Sequence, residues 1–84
     1  MDKLKYEIVE LRNGKQYFVL ETVFYEYDIY NLVLNLEDEE DVKILLQEIK
    51  GGKTVLTEVE DERILKNISP IFEQNLREKI MQNN

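Results

Sequence analysis

The chain of 84 residues has no cysteine, no histidine and no tryptophan, and it contains a single proline and three glycines. The absence of cysteine excludes disulfides, thiolate nucleophiles and thiolate metal sites, and it fits a reducing compartment. The absence of histidine leaves Ser69, the sequence's one serine, without an imidazole to activate it. Only carboxylates, lysines and tyrosines remain for acid–base or nucleophilic chemistry, so we predict that the protein is not an enzyme.

Long apolar runs are also absent. No stretch approaches the roughly 18 apolar residues that indicate a membrane-spanning helix. The first eleven residues interleave apolar and charged positions, and they lack the apolar segment of a signal peptide. We therefore expect a cytoplasmic protein that has no membrane partner.

Basic residues are in the minority. The 11 lysines and arginines face 18 aspartates and glutamates, giving a formal charge of −7. Nucleic-acid binding needs a basic stripe that displaces counterions from phosphates, so we expect no direct contact with nucleic acid. No lysine or arginine lies between Gln16 and Val42, and this acidic block favours a protein partner with a basic surface. Its acids are Glu21, Glu26, Asp28, Glu37, Asp38, Glu39, Glu40 and Asp41.

Five of these acids, Glu37 to Asp41, follow one another directly. A calcium loop needs alternating oxygen ligands and a glycine at its sharp turn, and this stretch has no glycine. A carboxylate enzyme needs one acid whose pKa is raised by burial, which five adjacent exposed acids do not offer. We predict no metal and no cofactor here, and the stretch is either a solvated hairpin tip or a partner-facing patch.

Apolar patterning with a period of two predicts an antiparallel β-meander. Asn13-Gly14 and Gly51-Gly52 are strong turn signals, and Tyr25 to Asp28 forms a further turn. The connections are too short for the crossovers that parallel strands require. The five strands are predicted at residues 6–11, 16–24, 29–36, 42–49 and 54–59.

The apolar period changes to that of a helix after Asp61, which we predict to be the N-cap. Ser69-Pro70 has the pattern of a second helix start, so we predict helical segments at 61–68 and 69–81, broken or kinked at Pro70. The whole chain, 1–84, is then one α+β domain: a five-stranded antiparallel meander with the helix packed on one face.

The second strand is apolar on both faces, whereas one helix can cover only one face of a sheet. The side of the sheet predicted to carry Tyr17, Val19, Val23 and Val33 therefore needs cover. A homodimer through these four residues is one solution, because exposed apolar patches usually mark interfaces. The alternative is a strongly curled sheet whose long side chains fold over the patch.

Three tyrosines, Tyr25, Tyr27 and Tyr30, cluster around one predicted turn, and tyrosine is favoured at interfaces. The alternative is that Tyr30 belongs to the core and the other two pack on the hairpin end. We predict a non-enzymatic interaction module, and a second hypothesis is an acidic inhibitor that imitates nucleic acid, which requires carboxylates at phosphate-like spacing. The predicted partner-binding residues are Tyr25, Glu26, Tyr27, Asp28, Glu37, Asp38, Glu39, Glu40 and Asp41.

The order of these segments is similar to that of a known family. The similarity is carried by Asn13-Gly14-Lys15, the strand patterns at 17–24 and 30–34, Gly51-Gly52 with Leu56 and Val59, and the acids Glu60-Asp61-Glu62. This pattern resembles the YrzB-like small acidic bacterial proteins, a family of unknown function found mainly in Firmicutes. The resemblance spans residues 6–72 and implies a bacterial source. The family has no established activity, so the resemblance implies no functional residues.

Overall fold

The fold is a five-stranded antiparallel sheet followed by one helix, in a computed structural model that describes residues 7–82. The strands pair in chain order, β1-β2-β3-β4-β5, which confirms the predicted α+β meander. Position 6 of the predicted first strand lies outside the described residues. The elements are β1 (Ile8–Glu10), β2 (Gln16–Tyr25), β3 (Asp28–Asn35), β4 (Asp38–Lys50), β5 (Lys53–Glu58) and α1 (Glu62–Gln82).

A β-bulge in β2 decides which side chains share a face of the sheet. Val19 pairs with Val33, but Glu21 pairs with Leu32, so Leu20 is an extra residue in the ladder. The bulge reverses the inward–outward alternation of β2 at its midpoint. Residues before and after Leu20 that an unbroken period of two would place together therefore lie on opposite faces.

Two small cores result, one on each face of the sheet. On the face covered by α1, the buried residues are Val23, Tyr30, Leu32, Ile68 and Phe72. On the opposite side, which we call the open face, Tyr17, Val33 and Leu45 are at most 1% exposed, although within residues 7–82 no helix lies over them. Val9, Leu11, Val19 and Leu56 pack against this second core.

The predicted dimer face needs correction. Val23 belongs to the core under α1, whereas Tyr17 and Val33 belong to the open-face core, because the bulge separates them. Tyr17 and Val33 are 0% exposed, so neither offers surface to a second copy in this conformation. Their cover comes from the edge strands, which fold over the sheet centre as the curled-sheet alternative requires.

The predicted break in the helix at Pro70 is wrong, because α1 is continuous from Glu62 to Gln82, and no kink is confirmed. Its start is as predicted: the Asp61 carboxylate accepts hydrogen bonds from the backbone N–H groups of Arg63 and Ile64, at 2.9 and 3.4 Å. Pro70 and Lys66 are both exposed, so water can satisfy the Lys66 carbonyl that Pro70 leaves without an intrahelical donor. Among the described residues, no helix combines the length and apolar character that a membrane span requires.

Replacing Pro70 with alanine should raise the free energy of unfolding by about 2 kcal/mol, because alanine restores the helical hydrogen bond and removes the ring clash. Urea denaturation followed by circular dichroism measures this change. Gln74→Ala, at an exposed position one turn later, controls for helix propensity and should change stability by no more than a few tenths of a kcal/mol. An unchanged or lower stability of Pro70→Ala would contradict this account of the helix.

Candidate functional site

The structure divides the predicted partner-binding residues between the two ends of β3. Tyr25, Glu26, Tyr27 and Asp28 lie at the turn before β3, which we call the tyrosine turn. Glu37 to Glu40 lie just beyond the end of β3, and we call them the acidic corner. The rest of β3, residues 29–35, and Leu36 separate the two groups, a distance of about 25 Å at the usual rise per residue. They therefore form two surfaces and not one continuous patch.

The tyrosine turn has an unusual backbone. Glu26 and Tyr27 connect β2 to β3 as a two-residue turn, and their φ angles are 50° and 74°. Positive φ at both central positions is the type I′ geometry that suits the twist of a hairpin. Asparagine and glycine normally occupy it, because a Cβ in the left-handed region costs about 1–2 kcal/mol per residue. Every other described residue with positive φ is a glycine.

The side chain of Tyr27 gains no packing in return for this backbone strain. It is fully exposed at the tip of the hairpin. Phe24, one residue before the turn on the open face, is 78% exposed. Ile49 is 68% exposed. It lies at the same end of the sheet, because Gln47, two residues before it in β4, pairs with Ile29 at the start of β3. Two aromatic rings and an aliphatic side chain thus stand in water at one end of the molecule.

Tyr30 belongs to the core and Tyr25 packs against it, as the alternative prediction had it, but Tyr27 does not pack on the hairpin end. Tyr30 is 3% exposed in the core under α1, and its ring lies 6.4 Å from that of Tyr25 in a tilted arrangement. Burial raises the pKa of the Tyr30 hydroxyl, and the nearby carboxylates of Asp28 and Glu26 raise it further. This pair holds the base of the hairpin, so only Tyr27 is presented.

Charge at the tyrosine turn is mixed. Glu26 and Asp28 are exposed beside Tyr27. The β4–β5 turn brings Lys50 and Lys53 to the same end of the sheet. The Nζ atom of Lys50 lies 3.5 Å from Oε1 of Glu48. An aromatic ring flanked by carboxylates suits an arginine or lysine side chain, since both groups attract a cation.

The acidic corner differs from the predicted loop. β4 begins at Asp38 and not at residue 42, because Asp38 already pairs with Asn35. The next ladder pair joins Leu34 to Val42, so three acids form a wide irregularity in the strand. Side chains fix this shape: Asn35 accepts from the backbone N–H of Glu37 at 2.7 Å, and Asp38 from that of Glu40 at 3.0 Å. Glu37, Asp38, Glu39 and Glu40 are all exposed.

Asp41 is different from its four neighbours, because it points into the open face. Its Oδ2 accepts hydrogen bonds from the Tyr17 hydroxyl at 2.6 Å and from the Asn35 amide at 3.0 Å. Lys43 Nζ lies 3.2 Å from its other oxygen. The hydrogen bonds from Asn35 and Tyr17, with a smaller effect of Lys43, lower the pKa of Asp41 to about 2. The predicted contact residue therefore anchors the fold.

A second polar group in the open face was not among the predicted site residues. Asn31 is 5% exposed, and it accepts from the Thr22 hydroxyl at 2.6 Å and donates to the Gln47 side chain at 2.9 Å. The sequence signal for it is the pair Asn31 and Asn35, four residues apart on a strand, which places both on one face. These amides place buried polar groups beside the apolar open-face core.

A charged contact outside these surfaces joins the helix to the sheet. Glu21, at the bulge, lies against the helix, where Lys79 Nζ is 2.6 Å from Oε1 and Asn75 donates to Oε2 at 3.4 Å. This contact ties the end of α1 to β2. Within residues 7–82, no three His, Cys, Asp or Glu side chains are arranged to hold a metal ion.

Comparison with protein-family models, with curated proteins and with solved structures gave no match to this chain. The resemblance to the YrzB-like proteins therefore stays a prediction.

Replacing Tyr27 with glycine should raise the free energy of unfolding by about 0.5–1 kcal/mol, because the relief of left-handed strain exceeds the entropic cost of glycine. Thermal and urea denaturation of the two proteins test this expectation. Phe24→Gly is the matched control: it removes an exposed ring from the same hairpin at an ordinary strand position, where glycine should lower stability by a similar amount. A loss of stability in Tyr27→Gly would mean that the ring stabilises the fold.

The Asp41 carboxylate should make stability depend on acid. Its pKa of about 2 lies below its ordinary value of 3.8, so the folded state favours the charged form. The stabilisation is therefore fully present above about pH 4 and is lost as the pH falls toward 2.

Urea denaturation between pH 2 and 7 should show that wild type exceeds Asp41→Asn in stability by a difference that shrinks as the solution becomes acidic. Glu39→Gln removes the same charge from an exposed side chain, so it controls for overall charge. A carboxyl carbon of Asp41 that titrates in the ordinary range by NMR would contradict this assignment.

Proposed function

We propose that the protein is a non-enzymatic interaction module that anchors on another protein through the tyrosine turn. The observation that carries the proposal is the conformation of Tyr27: a bulky residue held at a φ of 74° and fully exposed to solvent. Strained backbone persists where the surrounding structure enforces it, and it concentrates at functional sites. Neither stability nor solubility accounts for a tyrosine at this position.

The surroundings of Tyr27 fit a protein interface. Interfaces have a few aromatic anchors that carry most of the binding energy, surrounded by residues of smaller effect. Phe24 and Ile49 add exposed apolar area beside Tyr27, and Glu26 and Asp28 provide a polar rim. The short β2–β3 connection and the packed base of the hairpin hold these groups in place, which lowers the entropy lost on binding.

The partner that fits this surface presents an arginine or lysine to Tyr27. The chain's charge of −7 favours encounter with a basic protein, and the acidic corner contributes to that long-range field. The corner should not touch a partner that is bound at the tyrosine turn, because the two surfaces are about 25 Å apart. Its field at the turn is also screened, since the Debye length at physiological salt is about 8 Å. We therefore assign anchoring to the tyrosine turn and steering to the corner.

Imitation of nucleic acid has less support. A mimic needs carboxylates spread along a surface as phosphates are, whereas the exposed acids of the block lie in two groups at opposite ends of β3. The strand between them presents Asn31 and Val33, both buried, to the open face.

The test compares variants that remove the ring or the same charge at either end. The full chain is immobilised, proteins from a bacterial lysate are captured and identified, and the affinity of the purified partner is measured for each variant. Tyr27→Gly should bind at least tenfold more weakly, as expected for an interface hot spot. Glu26→Gln with Asp28→Asn should weaken binding several-fold and reduce its dependence on salt.

The matched control is Glu37→Gln with Glu39→Gln, which removes two charges from the acidic corner. It should slow association at low salt and leave affinity within about twofold at physiological salt, because screening confines the corner's effect to encounter. If the double variants at the turn and at the corner lost affinity equally, binding would depend on net charge and not on the position of the charges. Full binding by Tyr27→Gly would contradict the proposal, since that variant keeps the hairpin and lacks only the anchor.

A further inference from the structure

The open face of the sheet contains a groove between its two edge strands. Val9 of β1 lies on one side of this groove and Thr54 and Leu56 of β5 lie on the other, while Asn31, Val33 and Gln47 form its floor. Its volume is about 430 Å³, within the range of pockets that hold ligands or several peptide residues. The curl of the sheet creates it, because β1 and β5 both fold toward the open-face core.

Both sides of the groove are strand edges with backbone groups that point outward. Lys50 and Lys53 flank the two-residue turn Gly51-Gly52, so they form the first hydrogen-bonded pair of the β4–β5 ladder. Pairs alternate along an antiparallel ladder, so Thr54, Leu56 and Glu58 direct their N–H and C=O groups away from β4. The bond from Val59 N to Ile44 O at 2.9 Å continues this register.

The β1 edge follows the same rule. Val19 N donates to Glu7 O at 2.8 Å and Leu11 N to Lys15 O at 3.0 Å. The odd-numbered residues of β1 thus face β2, and Ile8 and Glu10 direct their backbone groups outward. β5 carries no proline and no bulge, and its central residues Thr54 to Thr57 are uncharged, so it lacks the usual protection of an edge strand.

Strand direction decides what can fill the groove. In a meander of five strands, β1 and β5 run in the same direction. They cannot pair with each other in an antiparallel ladder, but a single added strand can run antiparallel to both. Such a strand would close the curled sheet into a six-stranded barrel with antiparallel neighbours throughout, which satisfies both open edges.

We propose that the groove binds an extended segment of a partner protein by strand addition between β1 and β5. This site is distinct from the tyrosine turn, and the inference stands independently of the function proposed above. The partly exposed apolar side chains of Val9, Val19 and Leu56 favour an apolar residue over the groove's centre. Glu7 and Glu10 also line it, without any basic side chain among its described lining residues, so the segment residues beside these two glutamates should be lysine or arginine.

The probe is a displayed library of random linear dodecapeptides selected against the full chain. The expected enriched sequences alternate apolar and basic residues, as a strand with one face over the groove requires. Their binding should protect the backbone amides of Thr54, Leu56 and Glu58 from hydrogen exchange, because these N–H groups gain partners. The amides of Val55 and Thr57, already paired with β4, should change little.

A matched pair of variants tests the edge itself. Thr54→Pro removes an outward N–H without breaking the β4–β5 ladder, as proline is tolerated at a strand edge, and it should weaken peptide binding at least tenfold. Thr54→Ala keeps the N–H and should bind like wild type. Circular dichroism establishes that both variants are folded. The hydrogen-exchange pattern of wild type with bound peptide tests the same edge without any substitution.

The proposal would be overturned if no peptide were enriched, if the proline and alanine variants bound peptides equally well, or if protection from exchange were confined to the tyrosine turn. Dimerisation of wild type in sedimentation experiments that Thr54→Pro abolishes would also overturn it, because a second copy would then be the occupant. Tyr27→Gly should bind the peptides normally, so failure here and failure of the tyrosine-turn proposal are distinguishable.

Discussion

The extra residue at Leu20 is the constraint on which the rest of the structure depends. A regular β2 would place Tyr17, Val19 and Val23 on one face, and one helix would then have to cover two apolar faces. The bulge instead sends Val23 under α1 and leaves Tyr17 to the open face. Because a bulge also increases local twist, the same residue that divides the side chains helps curl the sheet over its second core.

The curl explains how so short a chain buries residues on both faces. A domain of this size buries a smaller fraction of its surface than a larger domain does, so few apolar side chains are available to form a core. The open-face core uses three buried side chains, and partly buried residues of β1, β2, β5 and the β1–β2 connection pack against them. Polar groups complete it: Asp41 receives the Tyr17 hydroxyl, and Asn31 joins Thr22 to Gln47. Buried polar groups with partners fix one arrangement, since each unmatched alternative leaves a polar group without a hydrogen bond.

The sequence predicts the features that depend on local pattern. Strand number, turn positions, antiparallel order and the Asp61 cap all follow from apolar period and turn chemistry. The features that failed depend on tertiary contacts. Nothing local distinguishes Asp41 from Glu40, yet only Asp41 meets Tyr17 and Asn35 across the sheet. Pro70 has the local signature of a helix break, but the apolar stripe keeps its phase through it, and packing of Ile68 and Phe72 holds one helix together. The bulge at Leu20 has no glycine to mark it.

The positive φ angles of the described residues fall at two kinds of position, those whose residue suits the turn and those whose residue does not. At three positions the backbone turns left-handed and the residue is glycine, so local preference and fold agree there. At Glu26 and Tyr27 they disagree, although a two-residue hairpin could use asparagine and glycine equally well. Consistency between local preference and fold is the general rule for natural sequences, and exceptions concentrate where function imposes a cost. Tyr27, one of these two exceptions, also has the most exposed aromatic ring of the described chain. Its backbone conformation and its solvent exposure therefore single out the same residue.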